Sequence, residues 1–357
     1  MRVYLIGAGV IARTHADAAA KLGEPVELRV ADPNATVLAG FSAAYPDALA
    51  FSSAEDMLAS EPAADDDVVL VATPPAIHAG PAVAALRSGR HVLCEKPLAM
   101  SVEEAEEMLA AAQAAGRLFG SCSTRFRALP HTDAVKGVRA SGVLGDVYHL
   151  SFVTKWPRSR AGIEYQPASR WFLDSRLSGG GVVMDWGPYD MSTLFDLLEP
   201  SAVEVVDAWI AQPRTGADPT DVVFDTETHA GATLRFTTAD GVVRVDYERA
   251  NGTHGEEVAR AEFEGTRGAV HWTPFDSQQP VFLRTDRDGE IVEEEVPPPP
   301  RSDLTIFDRP LVSFVDAVRG RPSPATLGAA AVDEFRCLRA IYETARTGVA
   351  VRIEVRR

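Results

Sequence analysis

Gly7-Ala8-Gly9-Val10-Ile11-Ala12 stands between a short apolar run, Val3 to Ile6, and an alanine-rich segment with helical spacing. Residues of these types in this order bind phosphate through the backbone. The first glycine permits a tight turn, the second lets the backbone approach a pyrophosphate, and Ala12 keeps helix and strand close, with the phosphate on the helix N-terminus. Gly7, Gly9, Val10 and Ile11 are therefore candidate cofactor contacts. Asp32 ends the next strand, 25 residues after Gly7, where a carboxylate accepts hydrogen bonds from an adenosine ribose. It would also repel a 2'-phosphate, and Pro33, Asn34, Ala35 and Thr36 supply no cation to neutralise one. NAD is favoured over NADP.

Lys96 directly follows the apolar run His91 to Cys94. Parallel strands present their carboxyl ends to the ligand crevice, and Pro97 disfavours helix at the residue before it. An ammonium there donates to a substrate oxygen and stabilises developing alkoxide during hydride transfer. Asp185 and Tyr189 are four apart across Trp186-Gly187-Pro188. Pro188 suits a first helical turn, and the spacing can bring both side chains towards one crevice. A phenol titrates near pH 10, at a pKa of about 10, so a neighbouring Lys96 cation would assist it by stabilising phenolate. Tyr189 is then a candidate proton donor or acceptor, and Asp185 a candidate to orient Lys96 or a substrate hydroxyl. The competing reading makes Tyr189 a buried aromatic on a helix from Met184 to Leu198.

The elements that must position these groups are legible as two grammars. Up to about residue 122, strand runs Val3 to Ile6, Val26 to Ala31, Val68 to Ala72, His91 to Cys94 and Leu118 to Ser121 alternate with helices near Ile11 to Leu22, Pro81 to Ser88 and Val102 to Ala115. The last helix opens on a Ser101 to Glu104 capping box and stops at Gly116. Such alternation predicts a doubly wound parallel sheet of the Rossmann type over residues 1–122. From 123 to 357, Thr233 to Thr238 with Val242 to Glu248, and Phe282 to Thr285 with Glu290 to Val296, flank glycine turns and read as hairpins. The expectation is an α+β domain with a large, mostly antiparallel open sheet. Pro297 to Pro300 reads as a stiff connector, followed by helices near Leu304 to Arg319 and Gly328 to Thr347. The acidic runs Asp65 to Asp67 and Glu293 to Glu295 read as solvated charge.

Three further segments make the sequence recognisable: Thr73-Pro74-Pro75-Ala76-Ile77-His78, Glu95-Lys96-Pro97 and Ser123-Thr124-Arg125-Phe126. Together with Gly179 to Tyr189 and the C-terminal helix ending at Thr347-Gly348, they resemble the signature of the glucose-fructose oxidoreductase, inositol dehydrogenase and MocA superfamily. The resemblance implies a Rossmann domain and an α/β domain whose open sheet packs against a partner subunit, with a sugar or polyol oxidised or reduced between the domains. It implies cofactor contacts at Thr73, Pro74, Glu95 and Lys96, an arginine near the nicotinamide at Arg125, and a loop beside the cofactor fixed by His78. Many members carry histidine where this chain has Tyr189; tyrosine is the choice of the glucose-fructose oxidoreductase, dihydrodiol dehydrogenase and sugar ketoreductase branches. Two other functions share the fold, a cofactor-binding regulator without catalysis and an NAD-dependent glycosidase. Glu95-Lys96-Pro97 with Asp185 and Tyr189 argues against the regulator.

Between Lys155 and Arg176, five basic residues stand against Glu164 and Asp174, in a chain with 35 basic and 51 acidic residues and a net charge of -16. Trp156, Arg158, Arg170 and Trp171 from this stretch are candidate substrate contacts, and an acidic sugar derivative is the substrate they would favour. An exposed loop with no ligand is the equal alternative. The overall negative charge opposes nucleic acid and anionic membranes as partners. No metal site is expected, since His15, His131, His149, His229, His254 and His271 lack ligand spacing. Cys94, Cys122 and Cys337 do not pair by spacing, and the strand begins too near the N-terminus for a signal peptide, so a cytoplasmic protein is expected. The apolar strands Val203 to Ile210 and Val242 to Tyr247 predict a sheet face covered by a second copy, in a homodimer or homotetramer.

Overall fold

The computed structural model describes residues 1–300 and 302–356. In chain order the first stretch comprises β1 (Arg2–Ile6), α1 (Val10–Ala19), β2 (Glu27–Ala31), α2 (Ala35–Ala44), β3 (Leu49–Phe51), α3 (Ala54–Ala59), β4 (Val68–Val71), α4 (Ala79–Arg87), β5 (His91–Cys94), α5 (Val102–Ala115) and β6 (Phe119–Ser121). Next come α6 (Pro130–Ala140), β7 (Val147–Lys155), α7 (Ser175–Ser178), α8 (Val182–Asp185), α9 (Gly187–Leu198), β8 (Ala202–Ala211), β9 (His229–Thr238), β10 (Gly241–Ala250), β11 (Val258–Gly265), β12 (Gly268–Trp272), β13 (Val281–Arg287) and β14 (Glu290–Val296). The chain closes with α10 (Arg309–Val318), β15 (Thr326–Leu327), α11 (Gly328–Thr347) and β16 (Val351–Glu354).

One sheet has the order β15-β6-β5-β4-β1-β2-β3. Its first six strands are parallel, and β15 joins β6 antiparallel. Strand order reverses between β1 and β4, which makes their carboxyl ends the ligand crevice of a doubly wound sheet. Val3, Leu5, Val68, Leu70 and Leu93 are buried beneath α1 and α10, in one cluster with Ala12, Ala16, Phe41, Leu311 and Phe314. The compact unit around this sheet is Met1–Arg125 together with Asp303–Val332, which departs from a single boundary at residue 122. The cause is local. Helix α10 supplies Leu311, Phe314 and Val315 to the core, and Gly120 leaves room for Phe314 and Leu327, where a Cβ would meet the Phe314 ring at 2.8 Å.

Asp67 departs from the solvated reading of its acidic run. It is fully buried and accepts hydrogen bonds from Arg2 Nε and Nη2, both at 2.7 Å, and from the Ala64 amide at 2.9 Å. Arg90, itself buried, lies 3.4 Å from the same carboxylate and over the Tyr4 ring. A buried carboxylate persists because cations and an amide replace its water.

The second unit is Phe126–Ser302 with Asp333–Arg356 of the described residues. Its sheet runs β14-β13-β12-β11-β7-β10-β9-β8-β16 and is antiparallel except where β7 pairs with β10. Alternation along these strands turns Leu150, Phe152, Val203, Val205, Leu234, Phe236, Val243, Val245 and Tyr247 inward, all buried. The opposite face carries Glu204, His149, Arg235, Arg244 and Asp246, in a ladder that includes His149 Nε2 to Asp246 Oδ2 at 3.0 Å and Arg244 Nη2 to Asp246 Oδ1 at 3.0 Å. Val203, Val205, Val243, Val245 and Tyr247 thus pack into this unit's own core, whereas Trp209 and Ile210 of β8 and Val242 of β10 stay exposed. Among the described residues no helix is long and apolar enough to cross a membrane.

Candidate functional site

In the first unit, Gly7 lies where β1 ends, its N–H donating to Ala31 O at 2.8 Å. Its φ is +101°, and a Cβ there would stand 2.6 Å from Ala72 O, so only glycine fits between the ends of β2 and β4. Gly9 caps α1 without a side chain, and a Cβ there would meet nothing within 4 Å. Val10, the first residue of α1, is 75 % exposed, and Ile11 is half-buried beside it. The free amides of this N-terminus therefore open onto space, as a pyrophosphate requires. Asp32 receives the Ala8 N–H on Oδ2 at 2.9 Å and the Asn34 N–H on Oδ1 at 2.8 Å, which braces the glycine turn against the end of β2. Each oxygen keeps a further lone pair for a ribose hydroxyl. These residues fit a dinucleotide.

Thr73 and Pro74 leave β4 at the same end of the sheet, half-buried and exposed respectively. His78 is fully buried and spans the two loops that follow β4 and β5, with Nε2 2.8 Å from Thr73 O and Nδ1 3.0 Å from Pro97 O. Burial pushes its imidazole below the usual range, against the opposing pull of those carbonyls. His78 is a brace.

Lys96 is half-buried at the end of β5, and its peptide to Pro97 is cis. Its N–H donates to Glu95 Oε2 at 3.0 Å. Glu95 is 4 % exposed, and its other oxygen lies 2.8 Å from His15 Nε2 and 3.6 Å from Arg125 Nη2. Burial alone would raise the carboxyl, but the His15 hydrogen bond and the charges of Arg125, His15 and Lys96 hold it well below the usual range. The stability it contributes is complete above the ordinary carboxylate range and is lost only as pH falls far below it. His15 was missed as a site residue. Its signal was the spacing, since it lies on α1 eight residues after Gly7 and faces inward.

In the second unit, Asp185 ends α8, Trp186 breaks the helix, and Tyr189 sits in the first turn of α9. The expected single helix from Met184 is therefore two. Tyr189 is 2 % exposed and packs edge-on against Phe126 at 5.1 Å and Trp186 at 5.6 Å. Asp185 is half-buried and lines a pocket with Arg160, Gly180, Gly181, Glu227, Thr228 and Asn251. Gly181 has no side chain because one would collide with Glu227 O. Glu227 accepts from the Gly181 and Val183 amides at 2.8 and 3.0 Å and from Tyr342 OH at 2.7 Å, yet burial keeps its carboxyl above the usual range. Thr228 Oγ1 and Asn251 Oδ1 are buried with no protein partner among the described residues. Neither was singled out by sequence, because strand-end Thr and Asn carry no motif.

The basic stretch is largely paired with carboxylates, some within it and some far along the chain. Arg160 is buried between Glu164 and Asp218, Arg176 holds Asp174 at 2.6 Å, and Lys155 lies 3.6 Å from Glu248. Arg158 and Arg170 are exposed and meet groups other than carboxylates, Arg158 donating to His254 Nε2 at 2.8 Å and Arg170 to Gly162 O at 2.9 Å. Trp156 packs edge-on against Trp186 at 4.5 Å, whereas Trp171 stacks on Phe172 at 3.8 Å.

Comparison with known proteins agrees with this geometry. Residues 1–121 match the model of an oxidoreductase family with an NAD-binding Rossmann fold, and residues 132–271 match the GFO/IDH/MocA C-terminal domain. The chain is 30 % identical to 1,5-anhydro-D-fructose reductase of Ensifer adhaerens, over 81 % of this chain and 80 % of that protein. It is 26 % identical to D-glucoside 3-dehydrogenase of Escherichia coli strain K12, over 99 % and 97 %. The WlbA dehydrogenase of Bordetella pertussis, solved with NADH and UDP-GlcNAcA, superposes with a TM-score of 0.79 at 26 % identity, covering 99 % of this chain and 97 % of that one. A glycine turn that only glycine can make, an acid at the second strand end and a lysine after the fifth strand thus occur in a chain matched along both halves, and it belongs to the Gfo/Idh/MocA family as an NAD-dependent oxidoreductase whose relatives work on sugars, polyols and their carbonyl counterparts.

Proposed function

We propose that the protein transfers hydride between NAD and a sugar-like alcohol or carbonyl, with Lys96, Tyr189 and Asp185 as its reacting groups. The observation that carries this reading is Lys96 at the crevice end of β5, anchored through its own N–H to a buried, ionised Glu95. Gly7, Gly9, Val10, Ile11, Asp32, Thr73, Pro74, Glu95 and Arg125 hold the dinucleotide, which supplies the hydride acceptor or donor when bound. The Lys96 ammonium donates to the substrate oxygen and stabilises its negative charge as the C–H bond breaks or forms. Tyr189 carries the hydroxyl proton, and Asp185 orients a substrate hydroxyl.

The test is NADH formation or consumption over a panel of neutral sugars, sugar acids, keto-sugars and polyols. Arg158 and Arg170 support an acidic substrate, and turnover that favours sugar acids only while both arginines are present is the matching outcome. Absence of turnover across the panel, in either direction, would remove the reading.

Asp32 supports NAD over NADP, and Asp32→Ala is expected to shrink that preference by about tenfold, the worth of one charge-assisted hydrogen bond of about 1.5 kcal/mol. Fluorescence titration with NADH and NADPH reads it directly. A ratio unchanged by the substitution would remove Asp32 from the cofactor's ribose.

We further propose a cytoplasmic homodimer or homotetramer that binds neither nucleic acid nor membrane. Supporting the compartment are three free, buried cysteines, and supporting the absence of polyanionic partners is the net charge of -16. For the assembly, Tyr148, Trp209, Ile210 and Val242 are 43 to 56 % exposed on β7, β8 and β10, more large apolar surface than a solvated sheet needs. Light scattering is expected to give at least twice the chain mass of 38.3 kDa. A monomer at working concentration would refute the assembly while leaving the catalytic reading intact.

A further inference from the structure

The two oxygens of Glu95 face different elements. Oε1 meets His15 Nε2 at 2.8 Å, and His15 belongs to α1, the helix that the glycine turn opens. Oε2 receives the N–H of Lys96 at 3.0 Å. Glu95's own N–H is held by Val71 O at 2.9 Å, so the backbone beneath the carboxylate is fixed to β4. His15 is fully buried, and an ionised carboxylate accepts only, so Nε2 carries the hydrogen of this bond. Its Nδ1 has no partner among the described residues, which leaves Glu95 as the one recorded carboxylate on the ring.

Cys122 Sγ stands 3.9 Å from the same His15 nitrogen, and the His15, Glu95 and Cys122 donors lie within 4.8 Å of one another, close enough to raise the possibility of a cation. The charges oppose that. His15 and Glu95 are bonded directly, and the Arg125 guanidinium already stands 3.6 Å from the carboxylate, where it opposes a second cation.

We propose that His15 is a positioning residue for Lys96, acting through Glu95 to tie the lysine to the helix on which the dinucleotide phosphates rest. The proposal rests on the reading of Lys96 given above. His15 fixes the rotamer of Glu95 and Glu95 fixes the Lys96 amide, so two hydrogen bonds join α1 to the lysine. Without His15, Glu95 Oε1 loses its 2.8 Å hydrogen bond and faces the Arg125 guanidinium at 3.6 Å, so the carboxylate can turn away from Lys96 without moving the strand.

Two variants of the full chain separate this role from simple packing. His15→Leu keeps the volume and removes the N–H, and His15→Gln restores a donor that reaches the carboxylate. In His15→Leu the Lys96 amide is expected to exchange hydrogen about tenfold faster or more, with NADH affinity within about threefold of the native protein. On any sugar the panel identifies, kcat is expected to fall about 10- to 100-fold with KM little changed, the loss of one hydrogen bond to a charged group. His15→Gln should recover most of both. Unaltered Lys96 exchange in His15→Leu, or a glutamine variant as impaired as leucine, would overturn the proposal, as would stoichiometric metal in the purified protein. Amide exchange needs no substrate, so the positioning role is decided even if the panel finds no turnover.

Discussion

Lys96→Ala is expected to lower turnover of a confirmed sugar substrate about 100- to 1000-fold, the loss that follows removal of one donor to a developing oxyanion. The effect should fall on kcat, because the ammonium matters most when the substrate oxygen carries charge. NADH affinity should change little, since the glycine turn, the α1 amides and Asp32 are untouched. Tyr189→Phe removes only the phenolic oxygen and keeps the ring between Phe126 and Trp186. It is expected to cost about 100-fold or more in turnover through lost proton transfer, with folding unaffected. Stopped-flow measurement of NADH absorbance reads both variants. Native rates in both would return Tyr189 to the role of a buried aromatic and Lys96 to that of a strand-end cation.

Arg249→Ala is expected to destabilise the second unit by about 3–5 kcal/mol, among the largest effects of any single change. Arg249 and Asp190 are both fully buried and form a direct ion pair, with Arg249 Nε 2.9 Å from Asp190 Oδ2. Tyr247 OH donates to the same oxygen at 2.7 Å, and its phenol is pushed far up by burial and by the Asp190 charge. The guanidinium also lies over the Trp156, Trp186 and Phe275 rings at 5.1 to 5.4 Å. Truncating the arginine leaves a carboxylate in an apolar surround with only a phenol for company. Replacing both ends, Arg249→Met with Asp190→Leu, should cost far less than the single change, because no charge is left stranded. The comparison is made by urea unfolding of the two variants. Equal losses would show that packing around the rings, rather than the stranded charge, holds this site.

Much of the first unit was legible in the chain itself. Strand runs beginning at Val3, Val68 and His91 appear with their boundaries nearly intact, and the helix Val102–Ala115 ends at Gly116 in the left-handed conformation its position required. A parallel strand buried on both faces is a short apolar run between turn residues, so local composition determines it. The same holds for the tight turn at Gly7 and the place of Asp32 at the end of β2, which follow from spacing along one βαβ unit. By contrast, α2, β3 and α3 escaped notice, since Ala35–Ala44 buries one residue and Leu49–Phe51 buries none, which erases the periodic signal.

Only the tertiary structure decided which distant residues meet. Helix α10 belongs to the first unit although its first residue, Arg309, comes 188 positions after Ser121 at the end of β6, because its apolar face completes the core over α1. His15 and Glu95 are 80 positions apart yet share one hydrogen bond. Asp67, third in an acidic run, is buried with Arg2 of β1 and Arg90, just before β5, brought beside it. The strands around Val203 and Val243 were legible as apolar, but their pleat, and hence which face those side chains cover, depends on register and on the helices packed against them. Charge in the Lys155 to Arg176 stretch could be counted from the sequence. Its neutralisation could not, because Asp218 and Glu248 lie far along the chain and reach those cations only when the sheet has formed.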